Sequence, residues 1–102
     1  MSPRDVEQRL IDIIEAIDAI DALEPDEQAA IRYHLIVIGE AAASLDDSVR
    51  SAHPSVPWVS VVGLRNELVH AYHRTDIAKI QRVVASSLSD LRRACEALLE
   101  ER

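Results

Sequence analysis

Ser2-Pro3-Arg4-Asp5-Val6-Glu7-Gln8-Arg9-Leu10-Ile11-Asp12-Ile13-Ile14-Glu15-Ala16-Ile17-Asp18-Ala19-Ile20 reads as a helix from its first residue. Serine at the N-cap can accept from the backbone of the third helical residue, proline at N1 gives up a donor that has no intrahelical partner, and Asp5 at N3 completes the start signal. Apolar residues then recur at Val6, Leu10, Ile13, Ile17 and Ile20, a spacing of four and three that draws a narrow apolar seam along one face. Pro25 ends that helix. The same spacing resumes from near Asp26 at Ile31, Leu35, Ile38, Ala42 and Leu45, so two helices with matching seams should pack as an antiparallel pair.

Working outward, residues 46–56 form a connection with room for one short helical turn. It is closed by His53-Pro54 and Val56-Pro57, because a residue before proline avoids the helical region. Pro57 starts a third long helix whose periodic face includes Trp58, Val61, Val62, Arg65, Val69 and Tyr72. Thr75 or Asp76 caps a final helix with Ile77, Ile80, Val84, Leu88, Leu91, Cys95 and Leu98 toward the core. Gly39, beside Ala41, Ala42 and Ala43, removes side-chain bulk at a cost of about 1 kcal/mol relative to alanine, which points to another backbone approaching there. The expected fold is all-α: an antiparallel four-helix bundle with a possible place for a short fifth helix, as one domain over residues 1–102.

Composition agrees and excludes several classes. Of 102 residues none is Phe and only 2 are Gly, as suits a helical chain. The absence of an apolar run long enough for a membrane span, and of a basic-then-apolar leader, leads to an expectation of a cytoplasmic protein. The single Cys95 rules out disulfide or zinc frameworks within one chain and reads as a buried, inert thiol. A net charge of -7 argues against extended contacts to a nucleic-acid backbone, but its distribution is uneven. Residues 1–47 hold 12 acids and 3 bases, residues 48–102 hold 6 acids and 8 bases. Arg65, Arg74, Lys79 and Arg82, with His53, His70 and His73, could therefore form a local basic cleft on an acidic body.

Arg65-Asn66-Glu67-Leu68-Val69-His70-Ala71-Tyr72 carries the chemistry. A guanidinium keeps its proton at any working pH, whereas an imidazole titrates near neutrality, so the pair offers a fixed positive charge and a proton-transfer group. Phosphodiester cleavage without a metal needs both. At about 100° per residue, positions 65 and 72 are about 20° apart in projection and positions 65 and 70 about 140° apart. Arg65 and His70 of one straight helix therefore do not meet side by side. Either the helix distorts near His70 or a second copy of the chain completes the cleft across a two-fold axis. Asn66 and His70 are neighbours one turn apart, so the amide could orient the imidazole. The four histidines lack the paired spacing of a zinc site, and no carboxylate grouping for magnesium occurs in the motif, so no metal or other cofactor is expected.

Three blocks in order, Gly39-Glu40-Ala41-Ala42, Pro54-Ser55-Val56-Pro57-Trp58 and Leu64-Arg65-Asn66-Glu67-Leu68-Val69-His70-Ala71-Tyr72, resemble the HepT-like branch of the HEPN superfamily. By motif the resemblance covers residues 31–80. It implies a homodimeric, metal-independent endoribonuclease toxin of a type VII toxin-antitoxin pair, with Arg65 and His70 catalytic and Asn66 supporting them. It also implies a partner, a minimal nucleotidyltransferase antitoxin that silences the toxin by attaching AMP to Tyr72. The sequence departs from the commonest pattern at Ala71, where glycine is frequent, and at His73-Arg74, where an aromatic residue is frequent.

Other readings stand beside these. The chain could be a non-catalytic helical partner or substrate-binding subunit of the same nucleotidyltransferase. Arg65 could be a packing residue satisfied by Glu40 or Glu67, and Glu40 an orienting partner or a plain solvated residue. Trp58 reads as core rather than as a base-stacking platform, and His53 as a surface turn residue without a partner. Asp12, Glu15, Asp18, Asp21 and Glu24 read as a solvated helix face.

Overall fold

The computed structural model describes residues 1–70, 80, 82 and 86–102, with His70 described for its backbone alone. Among the described residues there is no strand, and five helices have defined bounds: α1 (Pro3–Asp21), α2 (Gln28–Ala43), α3 (Asp47–Ser51), α4 (Trp58–His70) and α5 (Leu88–Glu100). The all-α bundle expected from the seams is the fold, and α3 is the short turn expected in the 46–56 connection.

The start of α1 follows its sequence signal atom by atom. Asp5 N–H donates to Ser2 Oγ at 3.2 Å and Ser2 N–H donates back to Asp5 Oδ2 at 3.3 Å, so each satisfies a backbone donor that the helix cannot. All five seam residues of α1 are buried, and so are Ile31, Leu35, Ile38, Ala42 and Leu45 of the second seam. The two helices run antiparallel: Arg9 lies across from Glu40 and Ser44, whereas Glu15 and Ala16 lie across from Tyr33 and His34. α2 begins two residues after Asp26, with Glu27 at its N-cap; the Glu27 carboxylate accepts from Glu24 N–H at 2.7 Å and so closes the Pro25 turn instead of capping the helix.

α1 packs against α2 on one side and α5 on the other, while α2 also packs against α4. The connection to α5 is fastened at the surface by Arg92, whose Nε and Nη2 donate to the two oxygens of Asp18 at 2.9 and 3.1 Å. Asp18 lies on the solvated face expected, 52% exposed, but it is paired there, and the bonds to Arg92 hold its carboxyl below the usual carboxylate range. This contact joins residues 74 positions apart, which helical periodicity cannot foresee.

Two further expectations are corrected. The core side of α4 is Trp58, Leu64 and Leu68, so it differs from the periodic face named from spacing, on which Val69 is 44% exposed and Val61 and Val62 are half-buried. The cause is visible in the sequence, since Val59, Val61, Val62, Leu64, Leu68 and Val69 spread over about 220° of the helix and leave periodicity no narrow face to choose. The last helix is not one run from residue 76, because Ser87 lies in a turn and α5 begins at Leu88. Just before it, Ser86 Oγ donates to the carbonyl of Arg82 at 2.6 Å, a competing bond of the kind that bends helices. Ile80, Leu88, Leu91, Cys95 and Leu98 are buried as expected; Thr75, Asp76, Ile77 and Val84 lie outside the described residues.

Trp58 is a core residue. Its ring is buried and its Nε1–H donates to the carbonyls of Arg50 and His53 at 3.0 and 3.1 Å, tying the α3 turn to the start of α4. Cys95 is buried as well, and burial pushes its thiol up to about 12, consistent with an inert side chain. Among the described residues no helix is long and apolar enough to cross a membrane.

Candidate active site

Arg65 sits on α4 where that helix packs closely against Gly39 of α2. A Cβ built on Gly39 would lie 2.1 Å from Arg65 Cβ, 2.7 Å from Arg65 Cγ and 3.3 Å from Arg65 Cα. Carbon atoms in ordinary contact stand about 3.5–4.0 Å apart, so only glycine fits. The packing reason anticipated for Gly39 is therefore Arg65 itself, and the close approach brings the next α2 residue, Glu40, within reach of the guanidinium.

Glu40 Oε1 accepts two bonds from Arg65, one from Nε at 2.9 Å and one from Nη2. Asn66 Oδ1 accepts from Nη1. Three of the guanidinium's five N–H donors are thus engaged by described residues, and the other two have no partner among the described residues. The pair lies at the surface, with the Arg65 side chain 27% exposed and that of Glu40 53% exposed. Of the two partners considered for Arg65, the structure selects Glu40; Glu67 makes a contact of its own. Such a cation, fixed along one edge and open along another, can meet an anionic oxygen without first being ordered.

Asn66 turns its oxygen to Arg65, so any support it gives to position 70 comes from its amide N–H. α4 remains an α-helix through His70, with no distortion of the backbone up to that residue. Positions 65 and 70 are accordingly about 140° apart around the axis. The His70 side chain, and Tyr72, His73, Arg74 and Lys79, lie outside the described residues.

His53 does not belong to this group. Its Nε2 lies 3.3 Å from Glu101 Oε1, at the far end of α5, so the expectation of a turn residue without a partner is corrected. It borders a separate hollow of about 430 Å³ shared with Ser86, Ser87, Asp90 and Arg93. Among the described residues no cluster of three histidine, cysteine, aspartate or glutamate side chains could hold a metal ion.

Sequence reasoning missed one feature of the site, the outward stripe of α4. Val59 is 88% exposed, a Cβ at Gly63 would meet no described residue beyond its neighbours and its own helix backbone within 4 Å, and Asn66 is exposed. With Val62 and position 70 they fall within about 100° of one another in projection. The available signal was Gly63, a helix-weakening residue with no turn to serve.

Comparison with known proteins gives the family of the chain. The family described as Ribonuclease HepT-like matches residues 5–98. A protein of Methanocaldococcus jannaschii named "Putative RNase MJ1380" is 32% identical over 107 residues, covering 94% of this chain and 98% of that protein. The "Probable ribonuclease HepT" of Thermococcus cleftensis is 30% identical over 71 residues, covering 70% of this chain and 64% of that protein. A second M. jannaschii protein, "Putative RNase MJ1216", is 26% identical over 112 residues, covering 99% of this chain and 93% of its own length. No solved structure matches. With a family match over residues 5–98 and a relative 32% identical over nearly its whole length, the chain belongs to the ribonuclease HepT-like family of the HEPN superfamily.

Proposed function

We propose that this chain is a metal-independent endoribonuclease whose cleft is built by two copies of α4. The observation that carries the reading is the state of Arg65: held by Glu40 at Nε and Nη2 and by Asn66 at Nη1, part-exposed, and on the same helix as His70. In the reaction, the RNA 2′-hydroxyl attacks the adjacent phosphorus and its proton passes to the His70 imidazole. The P–O5′ bond breaks, the leaving oxygen takes up a proton, and the products are a 2′,3′-cyclic phosphate and a 5′-hydroxyl. Arg65 stabilises the charge that gathers on the non-bridging oxygens.

A straight α4 supports the dimer, because within one chain positions 65 and 70 face different directions. The stripe of Val59, Val62, Gly63, Asn66 and position 70 is apolar where it needs to bury area and polar where chemistry would occur. At Gly63 a neighbouring helix could approach closely without meeting a side chain. Two-fold pairing along that stripe would put His70 of one chain near the motif of the other.

The activity fits a toxin controlled by a minimal nucleotidyltransferase. Transfer of AMP from ATP to the Tyr72 hydroxyl would release pyrophosphate and place a phosphate and a bulky base two residues beyond His70. That phosphate could occupy Arg65 in place of the scissile group and repel RNA.

Cleavage of RNA should survive a metal chelator and be lost in Arg65→Ala and His70→Ala while cooperative melting is kept. A requirement for magnesium, or cleavage that persists in both variants, would refute the mechanism and favour a non-catalytic partner of the nucleotidyltransferase. For the control step, intact-protein mass after incubation with the nucleotidyltransferase and ATP should rise by one AMP in the wild type and not in Tyr72→Phe, which should remain an active nuclease. An adduct on Tyr33 would remove Tyr72 from this role.

A further inference from the structure

We propose that Glu40 is a positioning residue for Arg65, acting from α2 to fix the guanidinium that α4 carries. The inference rests on the ribonuclease reading above and adds to it a residue from a different helix. Three observations converge. Glu40 Oε1 takes both donors of one guanidinium edge, Nε and Nη2, which sets the plane of the group rather than only its distance. Asn66 takes a donor on Nη1, so the group is held from two sides and cannot turn without breaking a bond. Gly39, immediately before Glu40, is the residue that lets α4 come close enough for a glutamate on α2 to reach Arg65 at all.

The surface position of the pair argues against a role in holding the fold. Glu40 is more than half exposed, and ion pairs between solvent-exposed groups contribute little to stability. As an electrostatic element alone Glu40 would hinder the reaction, since its charge opposes the approach of a phosphodiester and offsets part of the Arg65 charge. What it supplies is orientation. An arginine side chain on a helix surface otherwise samples many rotamers, and its ordering would fall on the substrate-binding or transition-state step. The two donors that Glu40 and Asn66 leave are those a phosphoryl group would use.

This division between charge and orientation predicts a split between kcat and KM that a structural role would not produce. Glu40→Ala should lower kcat by about 10- to 100-fold, the range expected when a catalytic group is misplaced. Its KM should be equal to or lower than that of the wild type, because a charge repelling RNA has been removed. Glu40→Gln removes the same charge but keeps an oxygen that accepts from Nε, so most of the lost kcat should return with the lowered KM retained. Both variants should melt with the wild type.

The experiment measures steady-state cleavage of a short RNA by wild type, Glu40→Ala, Glu40→Gln and Arg65→Ala. It is paired with nitrogen-15 NMR of the Arg65 Nε–H, assigned by its loss in Arg65→Lys. That resonance should exchange slowly in wild type and Glu40→Gln and quickly in Glu40→Ala. An active wild type abolished by Arg65→Ala but unchanged by Glu40→Ala overturns the positioning role and leaves the ribonuclease reading intact. Equal losses in Glu40→Gln and Glu40→Ala overturn it as well, and so does an Nε–H that exchanges quickly in the wild type. A wild type that cleaves no RNA overturns the ribonuclease reading and this proposal with it.

Discussion

Replacing Gly39 by alanine tests the contact on which the site is built, and two opposing terms decide its sign. In a helix the change is favourable by about 1 kcal/mol, because alanine loses less backbone entropy than glycine. Against this, the new methyl carbon would stand 2.1 Å from Arg65 Cβ and 2.7 Å from Arg65 Cγ. Relief to an ordinary carbon contact requires a shift of about 1.5 Å. The obstructing atoms are the root of a side chain and, at 3.3 Å, its Cα, so rotating a flexible side-chain tip does not provide that shift. α2 and α4 must separate. Adding a methylene to a well-packed contact costs about 1–3 kcal/mol, and separating two helices that bury Leu35, Ile38, Leu64 and Leu68 falls toward the upper end. The net loss is then about 2 kcal/mol, and in a domain of this size each kcal/mol moves the melting midpoint by about 4–8 °C.

Thermal melts followed by far-UV circular dichroism should therefore place Gly39→Ala below the wild type by about 8–16 °C. RNA cleavage at a temperature where both are folded should fall as well, since moving α4 moves Arg65 away from Glu40. Gly63→Ala, on the same helix as Arg65 but with no described residue beyond its neighbours and its own helix backbone within 4 Å of the added carbon, provides the contrast: in the single chain it should gain about 1 kcal/mol. Gly39→Ala melting at or above the wild-type midpoint would refute the argument, because it would mean that α2 and α4 are not held at the spacing described.

Other outcomes follow from particular residues. Leu68 is fully buried and Val69 is 44% exposed, so Leu68→Ala should cost about 2–5 kcal/mol in urea unfolding while Val69→Ala costs much less in a monomeric chain; equal costs would contradict the assignment of the α4 core face. Val59→Asp should convert a sedimenting dimer to a monomer while leaving the secondary structure intact, since Val59 is exposed in the single chain; an unaffected dimer would move the interface off the α4 stripe. Asp18, whose carboxyl is held down by its bonds to Arg92, contributes stability that is full above the ordinary aspartate value of about 3.9 and is lost as pH falls through its lower folded value. The stability difference between wild type and Asp18→Asn should accordingly narrow on acidification below about pH 4, and a difference independent of pH would argue against the ion pair.

The parts of this molecule that were legible in the sequence are those governed by neighbours along the chain. The Ser2–Asp5 box, the two seams and the stop at Pro25 depend on interactions within a few residues, and periodicity reports them directly. α4 is less legible because its apolar residues spread over about 220° of its circumference. One side packs on α2 while Val59 and Gly63 face outward on the opposite side, so the apolar pattern alone does not single out the buried face. The partners of Asp18 and His53 lie 74 and 48 residues away and have no local signature.

Arg65 stands between these cases. Its identity as the candidate charge-bearing residue comes from the motif, but its arrangement depends on α2, where a glycine and a glutamate side by side perform successive tasks. Gly39 admits the α4 backbone, and Glu40 takes hold of what that approach delivers. Either residue alone would be ambiguous: a helical glycine can serve any close packing, and an exposed glutamate can serve none. Their adjacency makes the pair informative, because close approach and side-chain capture must occur at the same level of the bundle, and consecutive residues on α2 are the shortest way to encode both. The dependence is directional as well. Glu40→Ala should leave the spacing of α2 and α4 unchanged while freeing the Arg65 guanidinium, whereas Gly39→Ala should disturb the spacing and the guanidinium together.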